Sequence, residues 1–298
     1  MRKILAWVLT IILLLSLTAC GADSDNRNES EKPETTAPLP EPTETTAPVP
    51  ETVTAYVLDK VLVSAEGMDA KILFTYDDQG RILSVEMWNG EELYQNTEME
   101  YRENGEPAVC VTYGPDEKIL NKMEYLSVQD GKVNEALVTT NGNTVREVSV
   151  RNDAGLLVEK QSYDQDGELI GTTKYEYDAQ GNPSKEIALD ADGREQQVKE
   201  YRCDEDGDLL EYSWRIGEQL IFHYRYTYED GKMTGRVSET ENGLNYQYRY
   251  DDRGNMTEVV MGGVPMTFHY RTMELPQEEA DDVKEAAESF IYNAFVVT

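Results

Sequence analysis

The sequence predicts an all-β protein: a long, curled antiparallel β-meander of repeated hairpins, followed by one C-terminal α-helix. Three observations carry that reading. Glycines, all but Gly217 following an Asp or Asn within three residues, punctuate the chain at 155, 167, 181, 193, 207, 217, 231, 243 and 254, so two intervals make a unit of 23 to 26 residues. Between the glycines, apolar or aromatic residues alternate with polar ones, as in Phe222-His223-Tyr224-Arg225-Tyr226-Thr227-Tyr228. The aromatic content is also skewed, with 19 Tyr against 5 Phe. A fixed period of this size marks an array of one supersecondary unit, and period-two alternation marks half-buried strands.

The elements follow in chain order. Met1-Arg2-Lys3 is a positive start, Ile4 to Leu17 is largely apolar, and Leu17-Thr18-Ala19-Cys20 closes the segment with small residues before a cysteine. The run is short for a spanning helix, so residues 1–19 read as a signal peptide. Residues 20–53 hold six of the eleven prolines and repeat Glu34-Thr35-Thr36-Ala37-Pro38 as Glu44-Thr45-Thr46-Ala47-Pro48. Alternating prolines can neither pair in a sheet nor continue a helix, so this is an extended linker. The β-repeat domain is expected over 54–272. Sixteen turns, Gly80 to Gly262-Gly263 with a looser N-terminal set, make about seventeen strands. In Tyr177-Asp178-Ala179-Gln180-Gly181 the carboxylate caps the turn and glycine takes the positive φ. Residues 273–298 read as an amphipathic helix opening at Pro276, with Val283, Ala287, Phe290, Ile291 and Ala294 as its apolar stripe. It is expected to cover the last strands or the sheet opening.

The Leu-Thr-Ala-Cys segment resembles the bacterial lipobox, which implies that Cys20 receives a diacylglycerol and begins the mature chain. Phe74-Thr75-Tyr76-Asp77-Asp78-Gln79-Gly80, Tyr175-Glu176-Tyr177-Asp178-Ala179-Gln180-Gly181 and Tyr248-Arg249-Tyr250-Asp251-Asp252-Arg253-Gly254 resemble the Tyr-Asp (YD) repeat of the RHS family. In that family such strands wind into a hollow shell around a C-terminal toxin. This chain has no toxin-sized domain after the repeats, so the resemblance implies a scaffold. Tyr228-Glu229-Asp230-Gly231-Lys232-Met233-Thr234-Gly235 is also similar to choline-binding repeats, but the tryptophan cage such repeats need is missing.

Composition narrows the chemistry. With 58 Asp and Glu against 27 Lys and Arg, the formal charge is −31, which argues against nucleic acid as partner. Two histidines, His223 and His269, and three cysteines leave no zinc motif. The Asp164, Asp190 and Asp204 turns echo part of an EF-hand loop, but Thr173, Lys199 and Ser213 stand where its bidentate glutamate belongs. No cofactor, metal or catalytic residue is assigned, and the protein is read as not an enzyme. Cys110 and Cys203 lie about seven strands apart, so both are expected as free thiols unless the sheet rolls shut. The expected function is a lipid-anchored protein on the extracytoplasmic face of a bacterial membrane, with a non-catalytic binding or scaffolding body. Its partners are the membrane, through the lipid on Cys20, and cell-wall glycan or another surface protein. Candidate ligand-binding residues are Tyr224, Tyr226, Tyr228, Tyr246, Tyr248 and Tyr250, which share strand faces that suit sugar rings. An RHS-like shell and a purely structural spacer are the alternatives. Glu, Lys and Arg are expected on the outer face.

Overall fold

The structure, a computed structural model, describes residues 52–284 apart from 66–67, 130–131, 242 and 278. The signal segment, Cys20, the linker up to residue 51 and the second half of the expected C-terminal helix lie outside these residues, while Thr52 and Val53, expected in the linker, begin the first strand. Eighteen strands follow one another: β1 (Thr52–Ala65), β2 (Met68–Tyr76), β3 (Ile82–Asn89), β4 (Glu92–Tyr101), β5 (Pro107–Tyr113) and β6 (Ile119–Gln129). Next come β7 (Lys132–Thr140), β8 (Asn143–Arg151), β9 (Leu157–Tyr163), β10 (Leu169–Tyr177), β11 (Pro183–Asp190) and β12 (Glu195–Cys203). The last six are β13 (Leu209–Ile216), β14 (Gln219–Glu229), β15 (Lys232–Ser238), β16 (Tyr246–Tyr250), β17 (Met256–Met261) and β18 (Val264–Pro276).

Each strand pairs antiparallel with its neighbours in sequence, and β1 pairs with β18 from Thr52↔Pro276 to Val63↔Met266. The meander is therefore closed into an 18-stranded barrel, a more specific outcome than a curled sheet. Closure satisfies the backbone groups that a first and a last strand would otherwise leave unpaired. Strand β18 runs on to Pro276, past the expected start of the helical segment at 273.

Closure also explains why the sequence period is two strands long. In an antiparallel barrel every even strand runs toward the same rim. The chain enters the barrel at that rim and leaves it there, at Thr52 and Pro276. The turns at Asp77, Arg102, Asn152, Asp178, Asp204 and Asp251 all lie on this entry rim, so one Tyr-Asp unit is one hairpin. The turns after β3, β5, β7, β9 and β11 lie on the opposite, far rim. Asp77 Oδ1 accepts the backbone N–H groups of Gln79 (3.0 Å) and Arg81 (2.9 Å). The same two-donor cap recurs at Asn152, Asp178, Asp204 and Asp251, and on the far rim at Asp164 and Asp190. The carboxylates that echoed a calcium loop thus cap turns.

The tyrosine of each unit has its own task. A bulge falls beside it, as at Thr75/Tyr76, Glu100/Tyr101, Glu176/Tyr177, Thr227/Tyr228 and Arg249/Tyr250. Its hydroxyl donates to a carbonyl of the preceding strand: Tyr76 to Leu58 (2.7 Å), Tyr101 to Ile82 (2.9 Å) and Tyr177 to Leu157 (2.7 Å). Tyr228 and Tyr270 do the same to Leu209 and Met256, both at 2.9 Å. Ile82 pairs with Tyr76 of the previous hairpin, so the Tyr101 hydroxyl ties one hairpin to the next. Tyr177→Phe is expected to cost about 1 kcal/mol, read as a lower urea midpoint with unchanged strand content.

The apolar core is uneven. Its largest cluster lines β1–β3 and β13–β18, with Val61, Ile72, Phe74, Val85, Tyr212, Tyr224, Val259 and Phe268 buried. A second cluster lies on the opposite face of the β1–β18 ladder, where Ala280 and Val283 of the helical segment from 277 to 284 cover Ala55, Val57 and Leu275. The described part of the helix thus packs on the closing strands, as expected. Although the sheet rolls shut, Cys203 is a free thiol and no bridge joins it to Cys110. Cys110 is buried in β5.

Candidate functional site: the barrel interior

Register identifies the inward face of every strand. Starting from buried Tyr212, the direct pairs run Tyr212↔Tyr201, Lys199↔Glu186, Thr173↔Lys160 and Ser149↔Lys160, reaching Glu147 two residues along β8. Starting from buried Val85 in the other direction, they run through Thr97, Thr112, Asn121, Thr140 and Ala136 to the same Glu147. The interior therefore has two kinds of wall. From β13 through β18 to β3 it is apolar and aromatic. From β4 to β12 it carries many polar and charged groups.

The aromatic wall contains the six candidate tyrosines. Tyr224, Tyr226 and Tyr228 do share one face of β14, and Tyr246, Tyr248 and Tyr250 one face of β16. That face is sealed, however: Tyr224, Tyr226, Tyr246 and Tyr248 are at most 6% exposed, and Tyr228 and Tyr250 are half-buried. An open platform for sugar rings is thus corrected to a packed inner wall, because closure turns the apolar face of the meander inward. Rings stack along it, with Phe222–Tyr224 centroids 5.7 Å apart and Tyr246–Tyr248 6.3 Å apart.

Arg236 on β15 sits among these rings with no exposed surface. Its guanidinium carbon lies 4.1 Å from the Tyr224 ring centre and 3.8 Å from that of Tyr246. The residue thereby bridges β14 to β16 across a seam, β15–β16, that has only the pairs Gly235↔Gln247 and Arg236↔Tyr246. Sequence patterning missed Arg236 because an arginine in a strand reads as an outward residue. The one signal was its place opposite Tyr226 and Tyr246.

Burial holds the phenols neutral far into the alkaline range. Loss of solvation pushes Tyr101 up to about 12 against the Arg81 charge, which lowers it, and pushes Tyr250 to about 12. Tyr246 and Tyr248 are also raised by burial, opposed by Arg236. An unfolded chain ionises its tyrosines near 10.0, whereas the barrel keeps their protons up to about 12. The unfolded state is therefore the one favoured as pH rises. Thermal stability is expected to be flat to about pH 9 and to fall between about pH 10 and 12. Phenolate absorbance should rise together with unfolding.

On the polar wall, Lys160 pairs with Glu147 (3.4 Å) and Lys199 with Glu186 (3.1 Å). These inward charges correct the expectation that Glu and Lys keep to the outer face. Nearer the far rim, Thr97, Thr112, Asn121 and Thr140 form one uncharged rung across β4 to β7. Thr97 and Thr112 hydroxyls are 3.0 Å apart, and the Thr140 hydroxyl donates to Asn121 Oδ1 (3.2 Å). Gln95 is next on the same face of β4, with no exposed surface and both amide atoms without a hydrogen-bond partner. The outer face carries ion pairs, including Arg146–Glu135 (2.9 Å), Arg202–Glu211 (2.8 Å) and Arg225–Glu239 (3.1 Å).

Among known proteins, no family model matches the chain and no curated protein is similar to it. Solved structures with a similar course include a porin-like protein from Bacteroides uniformis, at 13% identity, TM-score 0.42, covering 74% of this chain and 99% of that one. A porin-like protein from Bacteroides vulgatus matches at 10% identity, TM-score 0.41, over 72% and 98%. The Photorhabdus luminescens Tc holotoxin pore matches at 12% identity, TM-score 0.25, over 73% of this chain and 16% of that one.

Proposed function

We propose that the protein is a membrane-anchored extracytoplasmic lipoprotein whose closed β-barrel is a non-catalytic binding or scaffolding shell. Cys20 carries the lipid, and the proline-rich segment up to residue 51 holds the barrel away from the bilayer. The observation that supports this most is the polarity of the wall. The outer face carries ion pairs such as Arg146–Glu135, Arg202–Glu211 and Arg225–Glu239, whereas a barrel embedded in lipid needs an apolar outer band. A barrel of this polarity belongs in water, and a lipid on Cys20 would supply the membrane attachment that the wall does not. The sealed tyrosine face favours a shell, as in the RHS resemblance, over an open glycan platform.

The test is mass spectrometry of the N-terminal peptide together with fractionation. The expected result is a diacylglyceryl thioether on Cys20, with Cys20→Ala releasing the barrel from the membrane fraction. An acylated sulfur is unavailable for disulfide formation. Finding Cys20 unmodified, or bridged to another cysteine, overturns the lipid anchor.

A further inference from the structure

We propose that the far mouth of the barrel holds a binding site for an N-acetylated sugar, built around Gln95 on the inner face of β4–β7. The proposal deepens the reading of the barrel as a binding module. Its strongest support is Gln95: a fully buried amide whose nitrogen and oxygen both lack a hydrogen-bond partner. Such a group is costly to keep in an unliganded interior, and it sits beside a rung of further uncharged donors and acceptors. Thr97 and Thr112 are 2% and 1% exposed, and Asn121 is 6% exposed.

The chemistry selects the ligand class. No charged side chain belongs to the rung, so neither an anion nor a cation is the natural occupant. An amide that offers both donor and acceptor is matched by another amide, and threonine hydroxyls by sugar hydroxyls. Met87, opposite Gln95, gives the apolar contact that the C–H face of a sugar ring uses. An acetamido sugar carries all three features. A peptide is a poorer fit, because extended peptides bind by adding to a free strand edge, and the barrel is closed. The site's location agrees with this role. Thr140 is the last residue of β7 and Asn121 lies near the start of β6, which puts the rung by the rim opposite the one where the chain enters.

The experiment is calorimetric titration of the full chain in detergent with N-acetylglucosamine and, separately, with glucose. Saturable binding of N-acetylglucosamine, at least tenfold tighter than glucose, is expected for the wild type. Gln95→Leu should weaken it by at least tenfold while leaving the melting temperature of the free protein unchanged or higher, since it removes an unpartnered amide. Gln95→Met gives the same reading should the branched leucine disturb packing. No saturable binding in the millimolar range, equal binding of glucose, or unchanged binding in both variants overturns the proposal. The titration is read in solution, so its outcome does not depend on whether Cys20 is acylated.

Discussion

Arg236→Ala is expected to destabilise the barrel by about 3–5 kcal/mol, combining an unfilled core cavity with two lost desolvated cation–π contacts. The loss should appear as a lower urea midpoint. The physical reason is the position of the guanidinium between the Tyr224 and Tyr246 rings, where it ties together strands flanking a seam of two residue pairs. Amide exchange should therefore accelerate first along β15 and β16. Arg236→Met separates volume from charge. It fills most of the space and relieves the cost of a buried cation, so a loss under about 1.5 kcal/mol is expected. Equal losses for Ala and Met would show that the rings need the charge itself.

Gly80→Ala should be the most damaging of the substitutions at turn glycines with positive φ. Gly80 has φ +80°, and a Cβ there would lie 2.4 Å from Val283 Cγ2 and 2.8 Å from a Leu275 methyl. Left-handed backbone strain adds to overpacking, for a total of about 2–4 kcal/mol. The contact joins the first Tyr-Asp turn to the C-terminal helical segment, so the variant should loosen that segment from Ala55 and Val57. Gly181→Ala is the control: its φ is +92°, but a Cβ there meets nothing within 4 Å. Only backbone strain remains, about 1–2 kcal/mol. Limited proteolysis near residue 284 should distinguish the two, with early cleavage in Gly80→Ala alone. Equal proteolysis in both variants would contradict the packing of the helix on this turn.

Much of the fold was legible in local chemistry. The Asp-x-x-Gly turns, their glycines at positive φ and the alternating strands are properties of a few residues each, and each hairpin reads as one unit. The Tyr excess was legible as a pattern but not in its purpose. The hydroxyls of Tyr101 and Tyr177 act at the barrel's entry rim, on carbonyls 19 and 20 residues away in sequence. The inward charges Glu147, Lys160, Glu186 and Lys199 and the buried Gln95 were not legible. Period-two alternation says that two faces differ, and in β8–β12 both faces are polar.

The sequence alone therefore determined the hairpin unit, its period and its turn chemistry, because these rest on backbone sterics and on hydrogen bonds within about five residues. Only the tertiary structure decided that β1 meets β18, which face of each strand turns inward, and that the tyrosines are wall rather than platform. Those outcomes depend on pairing residues more than 200 positions apart, such as Thr52 with Pro276. The benefit of such pairing is the removal of two strand edges and the burial of one continuous apolar face, which no local pattern encodes.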